Sequence, residues 1–258
     1  MTMFTDAKVV NNDNYFEQDE FMSVSAYKKF SYCEVGGLEE YGKPSEAMLI
    51  GSYVDAYIEG TLEKFKEEHP EIFSSRGQTK GELKADYKYA DEICDFISKD
   101  EIFSQFMSGE KQVIMTGEIG TIPFKIKMDS YSPHIAINDL KVMRTVTDSL
   151  GNFYDFITPW GYDIQMACYQ EIVRQNTGEK LPCFICAVTK ESPINSVIIN
   201  IPQVVLDRAL YRVESNIAEL YKVKMGERDP VGCGKCSACI KRRATTPIIS
   251  MEMFMDFQ

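Results

Sequence analysis

The chain has 258 residues, 44% of them hydrophobic, with 28 Lys and Arg against 39 Asp and Glu, for a net charge of −11. Such a length and apolar share suit one large domain or two small ones with a sizeable core, and exclude a chain that is disordered throughout. The acidic balance excludes attachment to polyanions through bulk positive charge, so any nucleic-acid role must rest on a local site.

Residues 1–20 carry Asp6, Asp13, Glu17, Asp19 and Glu20 against Lys8 and read as an acidic flexible arm without a signal-peptide pattern. No apolar run is long enough to span a bilayer, so no membrane association and a cytoplasmic location are expected. In that setting the eight cysteines serve as thiols or metal ligands rather than disulfides. A short helix is predicted over 23–30, and a longer one, capped by Ser45, runs to Gly60. Residues 61–108 read as helix-rich around a polar, basic loop, 74–81. The pattern then changes to alternation. Stretches 112–120 and 122–130 read as a hairpin turning at Gly120-Thr121, with Phe124, Ile126 and Met128 on one face and Lys125, Lys127 and Asp129 on the other. A third strand spans 135–144. A helix over 161–175, strands at 181–190 and 196–201, and an amphipathic helix over 202–224 complete the order. The predicted fold class is α/β, a mixed central sheet flanked by helices.

Asp129 precedes Asp139-Leu140-Lys141 by ten residues. On a strand, Asp139 and Lys141 project together while Leu140 points into the packing, and Asp129 converges on Asp139 if the two strands are neighbours. Carboxylates with waters suit Mg²⁺ or Mn²⁺, which acidify a bound water and neutralise charge at a phosphate. Lys141 is placed to hold the attacking water or the developing negative charge. An Asp-x-Lys triplet alone is common, and by spacing alone a surface ion pair on a strand edge is the stronger reading.

In context these residues resemble the PD-(D/E)XK nuclease superfamily, and more closely the RecE-type phage and prophage exonucleases of its RecB-like branch. The opening helix 23–30 and Cys33-Glu34 fit that resemblance. Gly51-Ser52-Tyr53-Val54-Asp55 stands where many RecB-like enzymes carry Gly-x-x-x-His, so Asp55 takes the metal-ligand role of that His. Gln165 and Tyr169 match the branch's Gln-x-x-x-Tyr motif, which lies beside the active site and touches DNA. The resemblance covers residues 21–243, leaving 244–258 as a C-terminal tail. It implies a restriction-endonuclease-like fold, metal ligands Asp55, Asp129, Asp139 and the carbonyl of Leu140, and catalytic roles for Asp129, Asp139, Lys141, Gln165 and Tyr169. Glu118, on the strand before Asp129, faces either the same metals or solvent.

Cys233, Cys236 and Cys239 form C-x₂-C-x₂-C in a Gly-rich loop, a spacing that calls for a metal. A ferredoxin reading fails because the next residues are Ile240-Lys241-Arg242-Arg243. Related AddB-type and CRISPR-associated nucleases hold a [4Fe-4S] cluster with one cysteine upstream and three downstream, which assigns Cys33 as the fourth ligand here. Zn²⁺ is the alternative occupant. Cys183 and Cys186 face opposite sides of a strand and read as core residues, as do Cys94 and Cys168. His69 and His134 form no paired constellation. The segment 221–243 has a local balance of +5, and Arg76, Lys80 and Lys84 form a second basic group, both candidates for phosphate contacts.

The expected function is a Mg²⁺-dependent deoxyribonuclease, an exonuclease running 5′ to 3′ from linear double-stranded DNA ends. By the resemblance it forms a homo-oligomeric ring and supplies single strands to an annealing recombination protein in a phage or prophage host. The alternatives are a non-catalytic DNA-binding or assembly module held by the cysteine metal, and a related endonuclease.

Overall fold

The structure is a computed structural model, and it describes residues 10–40, 42–245 and 250–251. Among these, five strands form one sheet in the order β1-β2-β3-β4-β5: β1 (Glu110–Ile119), β2 (Ile122–Ser132), β3 (Ala136–Met143), β4 (Cys183–Thr189) and β5 (Ser196–Asn200). The β1/β2, β2/β3 and β4/β5 pairs are antiparallel, whereas β3 and β4 run parallel. A parallel pair needs a crossover, and here α7 (Tyr162–Thr177) lies in it. The mixed α/β sheet is as predicted.

Helices cover both faces. On one, Phe124, Ile126 and Met128 of β2 and Ile185 of β4 pack against α1 (Val24–Tyr32), α7 and α8 (Gln203–Lys224). Leu206, Val213, Ile217 and Leu220 make the buried stripe of α8, each such side chain contributing about 1.5–3 kcal/mol. On the other face, Leu140, Cys186 and Val188 pack against α3 (Glu46–Glu59), α5 (Ala85–Lys99) and α6 (Glu101–Phe106), with α4 (Leu62–Glu68) beside them. Cys183 and Cys186 are both fully buried, and each joins a different core.

Local chemistry sets the boundaries. Ser23 caps α1 through the Ala26 N–H, and Ser45 caps α3 through the Met48 N–H. Gly60 closes α3 with φ +76°. The hairpin turns through Gly120 and Thr121 at φ 54° and 68°. Two short helices frame the cysteine loop, α2 (Glu34–Gly37) and α9 (Ser237–Lys241). Of the acidic arm, residues 11–20 run as turns against β2 and α8, where the Gln18 carbonyl accepts from Lys125 and the Glu20 carbonyl from Tyr221. The end of the chain lies largely outside the described residues. Among the described residues no helix is long and apolar enough to cross a membrane.

Candidate active site

The site opens where two ladders fail together. β2 pairs with β3 at Ser130↔Asn138, Tyr131↔Ile137 and Ser132↔Ala136, and the next pair in that register, Asp129 with Asp139, is absent. On the other side of β2, Gln112 would face Asp129, but it has φ 52° and drops out of the β1/β2 ladder. Asp129 therefore sits at a splay in the sheet. Its Oδ2 accepts the Leu140 N–H at 3.0 Å, so a side chain replaces the missing strand partner.

Asp139 is 1% exposed, and both of its oxygens are engaged. Oδ1 accepts from Gln165 Nε2 at 2.6 Å, and Oδ2 is ion-paired with Lys141 Nζ. Burial lowers the Lys141 ammonium, but the carboxylates of Asp139 and Asp129 outweigh it and hold the group above its ordinary value. Asp129 is pushed well above the carboxylate range, first by burial and then by the charges of Asp139 and Asp55. Asp55 on α3 is raised to about 7 by burial, with Asp139 and Glu59 adding to the rise and Lys141 opposing it. Among the described residues the Asp55 carboxylate has no hydrogen-bond partner. Three crowded carboxylates share one lysine, a surplus of negative charge that a hard divalent cation fits. Their oxygens are not drawn together as tightly as the sulfurs described below. Leu140 itself is buried in the α3 side of the core.

Gln165 and Tyr169 lie one turn apart on α7. The Tyr169 hydroxyl donates to the Lys127 carbonyl at 2.8 Å, and the Gln165 amide reaches that hydroxyl at 3.1 Å as well as Asp139. Both side chains thus hold the carboxylate frame. Helix α7 comes close enough to do so because Gly117 on β1 has no side chain: a Cβ there would lie 2.4 Å from Gln175 Oε1 and 2.9 Å from Ile172 Cδ1.

Glu118 is exposed and lies opposite Pro123 at the far end of the hairpin, roughly 20 Å along the strand from Asp129. It does not join the carboxylates. A cleft of about 810 Å³ leads to Asp55 and Asp129, and its lysines are Lys64, Lys111 and Lys127 rather than Arg76, Lys80 or Lys84. Lys127 was detectable, since it shares the outward face of β2 with Asp129. A second opening of about 360 Å³ reaches Asp55 and Lys141 past Gly51 and Lys190. Any Cβ at Gly51 would meet nothing within 4 Å, so the glycine keeps that entrance clear.

Two further residues were missed. Lys28 of α1 donates to the Trp160 carbonyl at 2.6 Å, and its Nζ lies 5.5 Å from the centre of the Tyr162 ring. Lys141 Nζ stands 5.0 Å from the same ring. Burial, and then the Lys141 charge, lowers the Lys28 ammonium. Tyr162 precedes Gln165 by three residues, the spacing that puts both on one helix face.

The cysteines form a separate centre. One sulfur each from Cys33, Cys233, Cys236 and Cys239 lies within 4.8 Å of all the others. Cys33 is 3.5 Å from both Cys236 and Cys239, and Cys233 is 4.0 Å from Cys239. Burial pushes the Cys33 thiol up, but the N–H groups of Gly36 and Cys233 prevail and bring it down to about 6. The N–H groups of Lys235 and Cys236 lower Cys233. For Cys236, the Cys239 N–H lowers the thiol, but burial and the neighbouring sulfurs prevail and raise it to about 11. Four thiols this close cannot all ionise without a cation between them, so the donor set fits a metal. Glu34 braces the loop by accepting from Arg228 at 2.6 Å and from the Val231 N–H at 2.6 Å. Arg243 donates to the Gly234 carbonyl at 2.7 Å, and Arg242 pairs with Glu39 at 3.6 Å.

A family profile described as a PDDEXK-like domain of unknown function (DUF3799) matches residues 23–242. The chain is also similar to a solved protein from Eubacterium rectale, described as a "Putative exonuclease", with 44% identity and a TM-score of 0.87 over 97% of this chain and 100% of that one. A structure described as SSO0001 is 13% identical and covers 83% of this chain and 95% of that one at a TM-score of 0.30, too distant to carry an argument. No curated protein matches.

Proposed function

The chain belongs to the PDDEXK-like family described by that profile, and on this premise we propose that it is a metal-dependent DNA exonuclease acting on linear double-stranded ends. The observation that carries the reading is the splay of β2 from β3, which gathers Asp129, Asp139 and Lys141 while α3 brings Asp55. Asp55, Asp129, Asp139 and the Leu140 carbonyl are the groups that would hold Mg²⁺ or Mn²⁺. A divalent cation supplies an acidified water and charge neutralisation at the phosphate. Gln165 orients Asp139, and Tyr169 fixes β2 just before Asp129. Lys141, held as an ammonium, orients water and faces developing negative charge instead of accepting a proton. Lys64, Lys111 and Lys127 line the approach for phosphates.

The experiment is digestion of linear duplex DNA by purified protein with Mg²⁺, beside Asp139→Ala and Lys141→Ala. Both variants are expected to lose activity, and undiminished digestion by them would sink the assignment. Covalently closed circular DNA separates an exonuclease from an endonuclease. The 5′-to-3′ direction, a ring-shaped homo-oligomer, a cytoplasmic setting and supply of single strands to an annealing protein of phage recombination complete the proposal, and all rest on the resemblance. End-labelled duplexes report the direction. Retention of Asp129, Asp139 and Lys141 together supports hydrolysis over a non-catalytic binding module.

For the four thiolates, the resemblance favours a [4Fe-4S] cluster. The sulfur separations favour a single tetrahedral ion, because Zn–S bonds of about 2.3 Å put sulfurs about 3.8 Å apart. A brown anaerobic preparation identifies the cluster, and a colourless one with one zinc per chain identifies the ion. Either occupant would be structural.

A further inference from the structure

The loop between β3 and α7, residues 144–161, is built to be rigid and yet presents aromatic rings to solvent. Asp148 Oδ1 accepts the N–H groups of Leu150 and Asn152 at 2.8 and 2.9 Å, and Asp155 Oδ1 accepts those of Ile157 and Thr158 at 2.9 and 3.2 Å. A β-bridge joins Thr147 to Phe153. Phe156, 1% exposed, roots the loop, with its ring 5.9 Å from Tyr154 and 6.4 Å from Tyr162. Against that order, Phe153 is 64% exposed and Trp160, the chain's single tryptophan, 59% exposed. Large rings held open on a pinned loop bury no core and need another partner.

The position of Trp160 says what the partner is. Its carbonyl accepts from Lys28, and Lys28 and Lys141, the partner of Asp139, approach one Tyr162 ring, so the backbone of Trp160 is tied to the side chains that surround the carboxylates. Lys28 places positive charge at this loop, and the exposed Trp160 ring adds a flat, uncharged surface, the pairing of charge and ring that holds single strands. We propose that Trp160, on a loop rooted by Phe156 and steadied through its carbonyl by Lys28, stacks on an unpaired base of single-stranded DNA at the mouth of the active site. The stack sets how the terminal strand is presented to Asp139 and Lys141. This deepens the nuclease reading, on which it rests for the identity of the strand.

As the single tryptophan, Trp160 reports on itself. Its fluorescence is followed while the full-length protein, with Mg²⁺, is titrated with a single-stranded phosphorothioate oligonucleotide that resists hydrolysis. Saturable quenching is expected, and weaker quenching by a blunt duplex. By fluorescence anisotropy of a labelled oligonucleotide, Trp160→Ala should bind about tenfold more weakly and Trp160→Phe should recover most of the loss, as a stacked base predicts. The dependence of binding on salt should keep its slope in Trp160→Ala, because no phosphate contact is lost. Unchanged binding by Trp160→Ala, absence of quenching, or equal quenching by blunt duplex overturns the proposal. Quenching without digestion of any DNA would leave the stacking surface standing and defeat the nuclease reading. Digestion without quenching would do the reverse.

Discussion

Asp139 is the residue around which the others are arranged. Gln165 and Lys141 each take one of its oxygens, so removing the Gln165 amide frees a buried carboxylate to turn. Gln165→Ala should lower the digestion rate by about 10- to 100-fold, the equivalent of a hydrogen bond to a charged group at about 1.5–3 kcal/mol, while leaving KM for DNA within a few-fold. Tyr169→Phe loses the bond to the Lys127 carbonyl and the weaker one from the Gln165 amide, and should cost about 1–2 kcal/mol of stability with a smaller rate effect. Equal rates for parent and Gln165→Ala would remove the amide from the site. Asp55 carries the pH dependence. Its folded value of about 7 lies above that of an unfolded carboxyl, so the folded, metal-free protein holds a proton that the unfolded chain has already released. The Asp55 contribution to metal-free stability should therefore be lost as pH rises from about 4 to about 7, and Asp129, also raised, adds to the decline. Mg²⁺ offsets that repulsion, so its effect on Tm should be larger at pH 8 than at pH 6. Identical shifts at both would exclude Asp55 as a ligand. The Asp-x-Lys triplet was plain in the sequence because strand alternation alone aligns Asp139 with Lys141. Lys28 and Trp160 were not, since a contact between positions 28 and 160 leaves no local pattern.

At the scale of elements, α3 and α7 carry the site to the sheet, and each depends on one small local choice. Ser45 caps α3, so Ser45→Ala should cost about 1 kcal/mol and lower Tm by about 2–4 °C with little loss of activity. Gly117 lets α7 lie against β1, and Gly117→Ala should push the helix outward at a cost of about 1–3 kcal/mol. Because the same helix bears Gln165, that variant should lose activity beyond what its thermal unfolding explains, whereas Ser45→Ala should not. Loss of activity in proportion to stability in both would sink the distinction. The caps, the Gly120-Thr121 turn and the periodicities were readable because each is a property of a few neighbouring residues. The splay at Asp129 was not: it depends on Gln112 leaving one ladder and Asp139 leaving another, and alternation predicts only an unbroken strand.

For the whole molecule, the cysteine centre joins the end of α1 to the loop after α8, across 200 residues between Cys33 and Cys233. Closing so long a loop restricts the unfolded chain by about 5 kcal/mol if the clip acts as a covalent link does. Cys33→Ala should accordingly lose bound metal and drop Tm on the order of 10 °C, with chelation of the parent doing the same. A Cys33→Ala protein with full metal content and parental Tm would dismiss the residue as a ligand. Lys241, Arg242 and Arg243 looked like a phosphate patch in sequence, yet Arg242 and Arg243 are occupied with Glu39 and the Gly234 carbonyl, and the lysines of the main cleft come from α4, β1 and β2. Charge runs are visible along a chain, but clefts are lined by residues from distant segments.

The sequence by itself determined the sheet-forming and helix-forming segments, the family resemblance, the acid and lysine of the central strand and the fourth cysteine, because alternation, capping and motif spacing are written over short distances or in fixed order. Only the tertiary structure decided that Glu118 stands apart from the carboxylates, that Gln165 and Tyr169 face inward to hold Asp139 and β2, and that Lys28 meets both the Trp160 carbonyl and the Tyr162 ring that Lys141 approaches. Those outcomes depend on which strand ends splay and how closely α7 approaches β1, and both are set by packing between segments far apart in the chain.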